Sequence, residues 1–353
     1  MTLDDVAACR QLDPSHMLSR IQSLPEQCRA GWRRGMEFPL PPDYSTVNKV
    51  LLLGMGGSAM GGDLVGSLIP LEGKIPFLIH RDYGLPALVD DNTLVIASSY
   101  SGNTEETLDA FSQTLNGGAK KLVIAGGGKL RLLAQARSIP TLLIDREAEP
   151  RNTLGFTFTC LLALCQRLGL LPSRGRGVTD MVATLKRLSP RLSPDIPIVD
   201  NPAKQMALRL QGRLVVVYGA GFLAQVAHRW KTQLNENSKV WAFYETLPEL
   251  NHNSVVGYPL PSQVKEHIIV VLLHTLSLHH RLLARYQVTQ DLLEKEGIES
   301  HLTTVDGRNP LSQMMSAVML GDFVSYYLAL LNGVDPSPVA TIDYLKERLA
   351  RFQ

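Results

Sequence analysis

Two matching glycine turns constrain this chain more than any other feature of it. Leu51-Leu52-Leu53-Gly54-Met55-Gly56 is echoed by Val216-Val217-Tyr218-Gly219-Ala220-Gly221, with Gly54 and Gly219 standing 165 residues apart. In both places an apolar β-type run ends in Gly-x-Gly and a helical pattern follows. A spacing this long rules out a solenoid repeat and fits a duplicated domain. The flanking sequence supports it. Apolar runs at residues 49–53, 76–80, 94–97, 121–125 and 141–145 (Thr141 to Asp145) alternate with helical patterns in the first half. Those at 213–218, 240–244, 267–273 and 301–305 do so in the second. Runs this continuously apolar suit strands covered on both faces, hence parallel sheets. The expected fold is α/β, with two stacked domains, each a parallel sheet flanked by helices in a three-layer sandwich.

The expected boundaries follow from punctuation. Residues 1–45 read as an N-terminal helical segment, with Met17, Ile21, Leu24 and Cys28 at helical spacing and Pro25 as a break. Residues 46–172 form the first domain and 173–205 a helical connector studded with Pro190, Pro194, Pro197 and Pro202. Residues 206–353 form the second domain with its C-terminal helix. At 353 residues the chain is longer than one core requires.

Charge narrows the partners. A formal net charge of +2 with 19% charged residues gives no global attraction to nucleic acid or an acidic membrane, so any anion site must be local. The most apolar stretch, residues 314–331, contains Gly321, Asp322 and Ser325 and reads as a core helix rather than a membrane span. Cys9, Cys28, Cys160 and Cys165 make no Cys-x-x-Cys pair or zinc spacing, and the adjacent His279 and His280 diverge on a helix. No metal is expected from these residues. A reducing cytoplasm is the expected location.

A local anion site does stand out. Ser99-Tyr100-Ser101-Gly102-Asn103-Thr104 lies between an apolar run and a helix start bearing Glu105 and Glu106. At such a junction backbone N–H groups and the helix dipole favour an anion, and hydroxyls suit a phosphate. Taken alone, the segment also reads as a polar N-cap. The turn Gly54-Met55-Gly56-Gly57-Ser58 lets backbone approach a small ligand. It equally matches the loose dinucleotide fingerprint, although Asp82 and Glu245 stand late for ribose recognition.

These two segments resemble the ligand loops of a sugar isomerase (SIS) domain. Leu234-Asn235-Glu236-Asn237-Ser238-Lys239, Leu247-Pro248-Glu249-Leu250-Asn251-His252-Asn253, Pro150-Arg151-Asn152 and Asp335-Pro336-Ser337-Pro338-Val339 extend the likeness. Together, from about Val50 to the C-terminus, they resemble the bifunctional phosphoglucose/phosphomannose isomerase family. The resemblance implies a cofactor-independent aldose–ketose isomerase that takes glucose, mannose and fructose 6-phosphates through ring opening and a cis-enediol. It also implies a homodimer with shared active sites. Within it Glu236 is the base moving a proton between C1 and C2, a task suited to a partly buried carboxylate. His252 is the ring-opening acid/base. Arg151 is the cation beside the developing enediolate charge, and Lys346 assists ring opening. Gly56, Gly57, Ser58, Ser99, Ser101 and Thr104 cradle the ligand, and Ser337 bears on the C2 epimers. Two positions depart from the family pattern: Ser254 where Glu is frequent, and Ser337 where Thr is common. The alternatives are a narrower phosphosugar isomerase, or a non-catalytic sugar-phosphate-binding regulator. The lack of a helix-turn-helix pattern or basic arm, and the joint presence of Glu236 and His252, weigh against the regulator.

Overall fold

The computed structural model describes residues 2–144 and 150–352, and turns the apolar runs into two all-parallel sheets. The chain divides into two compact units.

The first unit comprises Ser23–Lys186 and Gly307–Met314. Its strands are β1 (Lys49–Leu53), β2 (Phe77–His80), β3 (Thr93–Ser99), β4 (Lys120–Ala125) and β5 (Thr141–Leu143), ordered β2-β1-β3-β4-β5. Every residue of β3 is buried, as expected of a central strand covered on both faces. One face packs Leu51, Leu53, Val95, Ala97 and Val123 against Phe111 and Leu130 of the helices Glu105–Thr114 and Gly128–Ala136. The fifth apolar run becomes a strand only to Leu143, and its expected last residue, Asp145, lies outside the described residues. Pro25 does not interrupt a helix. The chain breaks at Ser23, and Pro25 lies in the first turn of the helix Leu24–Glu37, where a missing N–H costs nothing.

The second unit comprises Met1–Gln22, Arg187–Asp306 and Met315–Gln353. It holds β6 (Leu214–Ala220), β7 (Ala242–Leu247), β8 (Ile268–His274) and β9 (Glu299–Thr304), ordered β7-β6-β8-β9. The run expected from Val240 starts as a strand only at Ala242. Val240 N–H instead donates to Leu234 O at 3.2 Å, closing the preceding helix, and Trp241 is 74% exposed.

The helix Pro310–Leu331 is long and apolar enough to cross a membrane, yet 89% of its most apolar window is buried in the protein. Its polar residues explain why it is a core helix. Asp322 accepts from Arg229 Nη2 at 3.0 Å and also from Gln233 Nε2, both on the helix Ala224–Glu236. Near the N-terminus, the fully buried Lys204 donates to Asp4 Oδ1 at 2.9 Å and to Pro194 O at 2.8 Å, tying the first residues to this unit.

Candidate active site

In the first unit the chain leaves β1 toward β2 on one side, while β3, β4 and β5 build out on the other. The order therefore reverses between β1 and β3, and the carboxyl ends of strands at such a reversal are where α/β sheets bind ligands. Both predicted ligand loops start there, one after β1 and one after β3.

The two loops are joined directly. Ser98 Oγ–H donates to Ser58 O at 2.8 Å, and Tyr100 N–H donates to Ser58 Oγ at 3.0 Å. Within the second loop Ser99 Oγ and Thr104 Oγ1 pair at 2.8 Å, Gly102 N–H donates to Ser99 Oγ at 3.0 Å, and Asn103 N–H to Ser101 Oγ at 3.1 Å. Thr104 occupies the cap position of the helix Glu105–Thr114 but makes no side-chain capping bond to it. The Thr104 hydroxyl thus faces Ser99 rather than the helix. Ser99 is fully buried, Thr104 half-buried and Ser101 exposed, so the loop runs from the core outward.

The two glycine turns differ in what lies over them. A Cβ on Gly56 would meet nothing within 4 Å, whereas one on Gly221 would lie 3.1 Å from Leu278 Cδ2. The first turn faces open space; the second is plugged by a nearly buried leucine. Gly57 packs on the backbone of Arg151, whose N would be 3.1 Å from a Cβ there. Arg151 itself is 3% exposed, in the short turn Pro150–Thr153. In the first unit, then, Ser58 is bonded to the segment of Ser98 and Tyr100, and Gly57 packs on Arg151. Asp63 is buried against Arg81; burial raises its carboxyl, and the guanidinium offsets part of that rise.

The second unit carries the remaining candidates. The sequence pattern predicts a helix over residues 222–234, after which Glu236 would fall in a loop. Instead a short turn, Gly221–Leu223, leads into the helix Ala224–Glu236, and Glu236 is its last residue. The helix persists because the residues after it are anchored. Asn237 N–H donates to Gln233 O at 2.8 Å, Asn237 Nδ2 to Ser325 Oγ at 2.9 Å, and Ser238 Oγ–H to Ser325 O at 2.7 Å. Glu236 is half-buried and lines a pocket of about 550 Å³ with Lys239, Trp241 and residues 338–342. Ser337 is 5% exposed, its N–H donating to Asp335 Oδ1 at 2.8 Å.

His252 ends the short turn Glu249–His252 and is exposed, but the residues around it are fixed. Asn251 donates to Thr289 Oγ1 at 2.9 Å and accepts from Arg285 at 3.2 Å, and Asn253 donates to Glu249 at 3.0 Å. Ser254, the departure from the family pattern, donates to the Glu245 carboxylate; a Glu there would face a like charge. Lys346 is exposed on the helix Ala340–Leu349, in which no residue is buried.

The acids considered for ribose recognition are otherwise engaged. Asp82 is exposed and accepts from Tyr83 N–H, while Glu245 lies within β7 and accepts from Ser254. Among the described residues no group of three or more His, Cys, Asp and Glu is placed to hold a metal ion. Lys239 was legible only as part of a motif. Its left-handed backbone and its bond to the distant Pro336 carbonyl are not revealed by spacing.

Residues 199–349 match the model of the bacterial phospho-glucose isomerase C-terminal SIS domain. A bifunctional phosphoglucose/phosphomannose isomerase of Caldicellulosiruptor bescii is 39% identical over 340 residues, covering 96% of this chain and 100% of that one. The enzyme of the same name from Aquifex aeolicus is 33% identical, covering 88% of this chain and 92% of its own. A solved glucose-6-phosphate isomerase like protein from Thermus thermophilus shares the fold at TM-score 0.63 and 18% identity, over 98% of this chain and 99% of that one. Matched along nearly its whole length, and carrying the two joined ligand loops, the chain belongs to the bifunctional phosphoglucose/phosphomannose isomerase family.

Proposed function

We propose that this protein interconverts glucose 6-phosphate and mannose 6-phosphate with fructose 6-phosphate, through ring opening and a cis-enediol. The observation that carries the reading is the pair of loops bonded to one another at the carboxyl ends of β1 and β3, with open space over Gly56. The same activity is named for the relatives at 39% and 33% identity.

Each residue has a distinct task. Ser99, Ser101 and Thr104 hold the phosphate, while the turn of Gly56, Gly57 and Ser58 lies close to the sugar, which places C1 and C2. His252 donates a proton to the ring oxygen and takes the one that the hemiacetal O1 loses, and Lys346 assists at that end. Glu236 removes the proton from C2 of the open aldose, and His252 returns its proton to O1 as the enediol forms. The proton held by Glu236 then goes to C1 while O2 gives its own to His252, leaving the ketone at C2. Arg151 meets the negative charge that develops across O1 and O2, favouring the transition state over the ground state. No step calls for a hydride acceptor or a Lewis acid.

The working form is a homodimer in the cytoplasm with shared sites, and neither nucleic acid nor a membrane takes part. Support comes from the C-terminal helix, where Ile342, Leu345 and Leu349 line one face at helical spacing and are 40%, 55% and 47% exposed. Ser337 in place of Thr keeps the hydroxyl that bears on both epimers.

The test is conversion of fructose 6-phosphate to both aldoses in the presence of EDTA, with incorporation of solvent deuterium at C2. The Glu236→Gln variant is expected to lose turnover by at least about 100-fold. Full activity in that variant would remove Glu236 from the mechanism, and formation of a single aldose would leave the narrower isomerase.

A further inference from the structure

We propose that Lys239 is a positioning residue that fixes Glu236 relative to the segment carrying Ser337, and so sets the balance between the glucose and mannose phosphates. The inference rests on Glu236 being the base.

Lys239 stands at φ +57°, in the left-handed region, just beyond the helix Ala224–Glu236. Helices commonly end in that conformation, but usually on Gly or Asn, because a larger side chain costs about 1 kcal/mol there. A lysine in this place needs a compensating role, and its ammonium supplies one. Nζ donates to Glu236 O at 2.7 Å, to Asn237 O at 3.3 Å and to Pro336 O at 3.2 Å. The first two carbonyls belong to the helix end, where a cation also meets the negative pole of the helix dipole. The third belongs to the residue before Ser337. One ammonium therefore spans the backbone of the base and the backbone next to the hydroxyl that bears on C2.

Other bonds support each side of this clasp. On the base side Asn237 and Ser238 bond to Ser325, and Asn332 Nδ2 donates to Ser238 O at 3.2 Å. On the other side Asp335 closes its own turn around Ser337 N–H. Lys239 bonds to both. Glycine would end the helix equally well but would not reach Pro336.

The consequence falls on selectivity. Glucose and mannose 6-phosphates present the C2 hydrogen on opposite faces of that carbon. A shift between the base and a hydroxyl bearing on C2 is therefore not felt equally by the two sugars, and a misplacement near 1 Å costs on the order of 100-fold in rate.

Lys239→Gly and Lys239→Arg test this. Glycine adopts φ +57° without strain, so the thermal midpoint of Lys239→Gly is expected to stay near that of the parent. Its kcat should fall about 10-fold or more with KM little changed, and the ratio of kcat/KM for the two aldoses should move about threefold or more. Lys239→Arg keeps a donor and should recover most of the ratio. Parent-like kcat and ratio in Lys239→Gly overturn the inference. So does an equal loss for both sugars that tracks a fall in thermal stability, since that is what a purely structural cap gives. Glu236→Gln, assayed alongside, separates the two readings. Full activity in that variant sinks the base assignment and this inference with it. An inactive Glu236→Gln beside a Lys239→Gly of unchanged ratio sinks this inference alone.

Discussion

Replacing Gly102 with Ala should dislodge the hydroxyl loop and weaken catalysis about 100-fold without unfolding the first sheet. Gly102 sits at φ +68°, where an alanine costs about 1 kcal/mol. The larger problem is space. A Cβ there would lie 1.7 Å from Gly127 O, a backbone atom that cannot swing aside, and reaching an ordinary contact of 3.4 Å means parting the two segments by about 1.7 Å. Three hydrogen bonds stitch those segments together: Gly126 N–H to Tyr100 O at 3.1 Å, Leu130 N–H to Gly102 O at 2.9 Å, and Lys129 N–H to Asn103 Oδ1 at 3.0 Å. At about 1 kcal/mol each, with the backbone strain, the local loss is roughly 4 kcal/mol. The loop would relieve it by moving, and Ser99, Ser101 and Thr104 would move with it. The assay is kcat/KM with fructose 6-phosphate, together with the inhibition constant of inorganic phosphate and the thermal midpoint. Gly84→Ala is the control: Gly84 has φ +75° and nothing within 4 Å of a Cβ, so it carries the conformational strain without the clash. Gly84→Ala should lose about 1 kcal/mol of stability and keep its kcat/KM. A Gly102→Ala protein with kcat/KM and phosphate inhibition within about twofold of the parent would refute the reasoning.

Other substitutions probe the second unit and the core. Asp322→Ala removes the buried carboxylate to which Arg229 and Gln233 donate, and should cost about 3–5 kcal/mol in urea unfolding. Lys204 holds the Asp4 carboxyl below its usual 3.8, so that bond stabilises the fold above pH 3.8 and is lost as pH falls through the lower native value. Asp4→Asn should therefore melt earlier than the parent at neutral pH, and the gap should close in acid. Burial pushes the Cys160 and Cys165 thiols up to about 12 and raises those of Cys9 and Cys28 as well. A thiol reagent near pH 8 should leave all four unmodified in the native protein and reach all four after unfolding; rapid native labelling of any one would contradict its burial.

Much of this was readable in the chain. Residues 49–53 are a strand in both readings because a central parallel strand must be apolar on both faces, and continuous apolarity leaves no other assignment. The hydroxyl and glycine loops stood out because their residue types suit backbone approach and anion binding, and their bonding to one another appears only in the structure. Val240 and Trp241 show the limit. Their apolar character suggested a strand, but the helix end draws Val240 back to Leu234 and leaves Trp241 in solvent. The placing of Glu236 in a loop failed for a related reason, since its helix is prolonged by bonds to Ser325, far along the chain.

By itself the sequence determined the α/β class with its two parallel sheets, and the family, because both are written in residue types at short spacing. The tertiary structure decided the rest. It set the strand order that puts Ser58 against Tyr100, kept the space over Gly56 open while Leu278 fills that over Gly221, and closed the Lys239 clasp onto Pro336. Those outcomes depend on which distant segments come to share a volume. Local periodicity encodes which face of a segment is buried, but not what is buried against it.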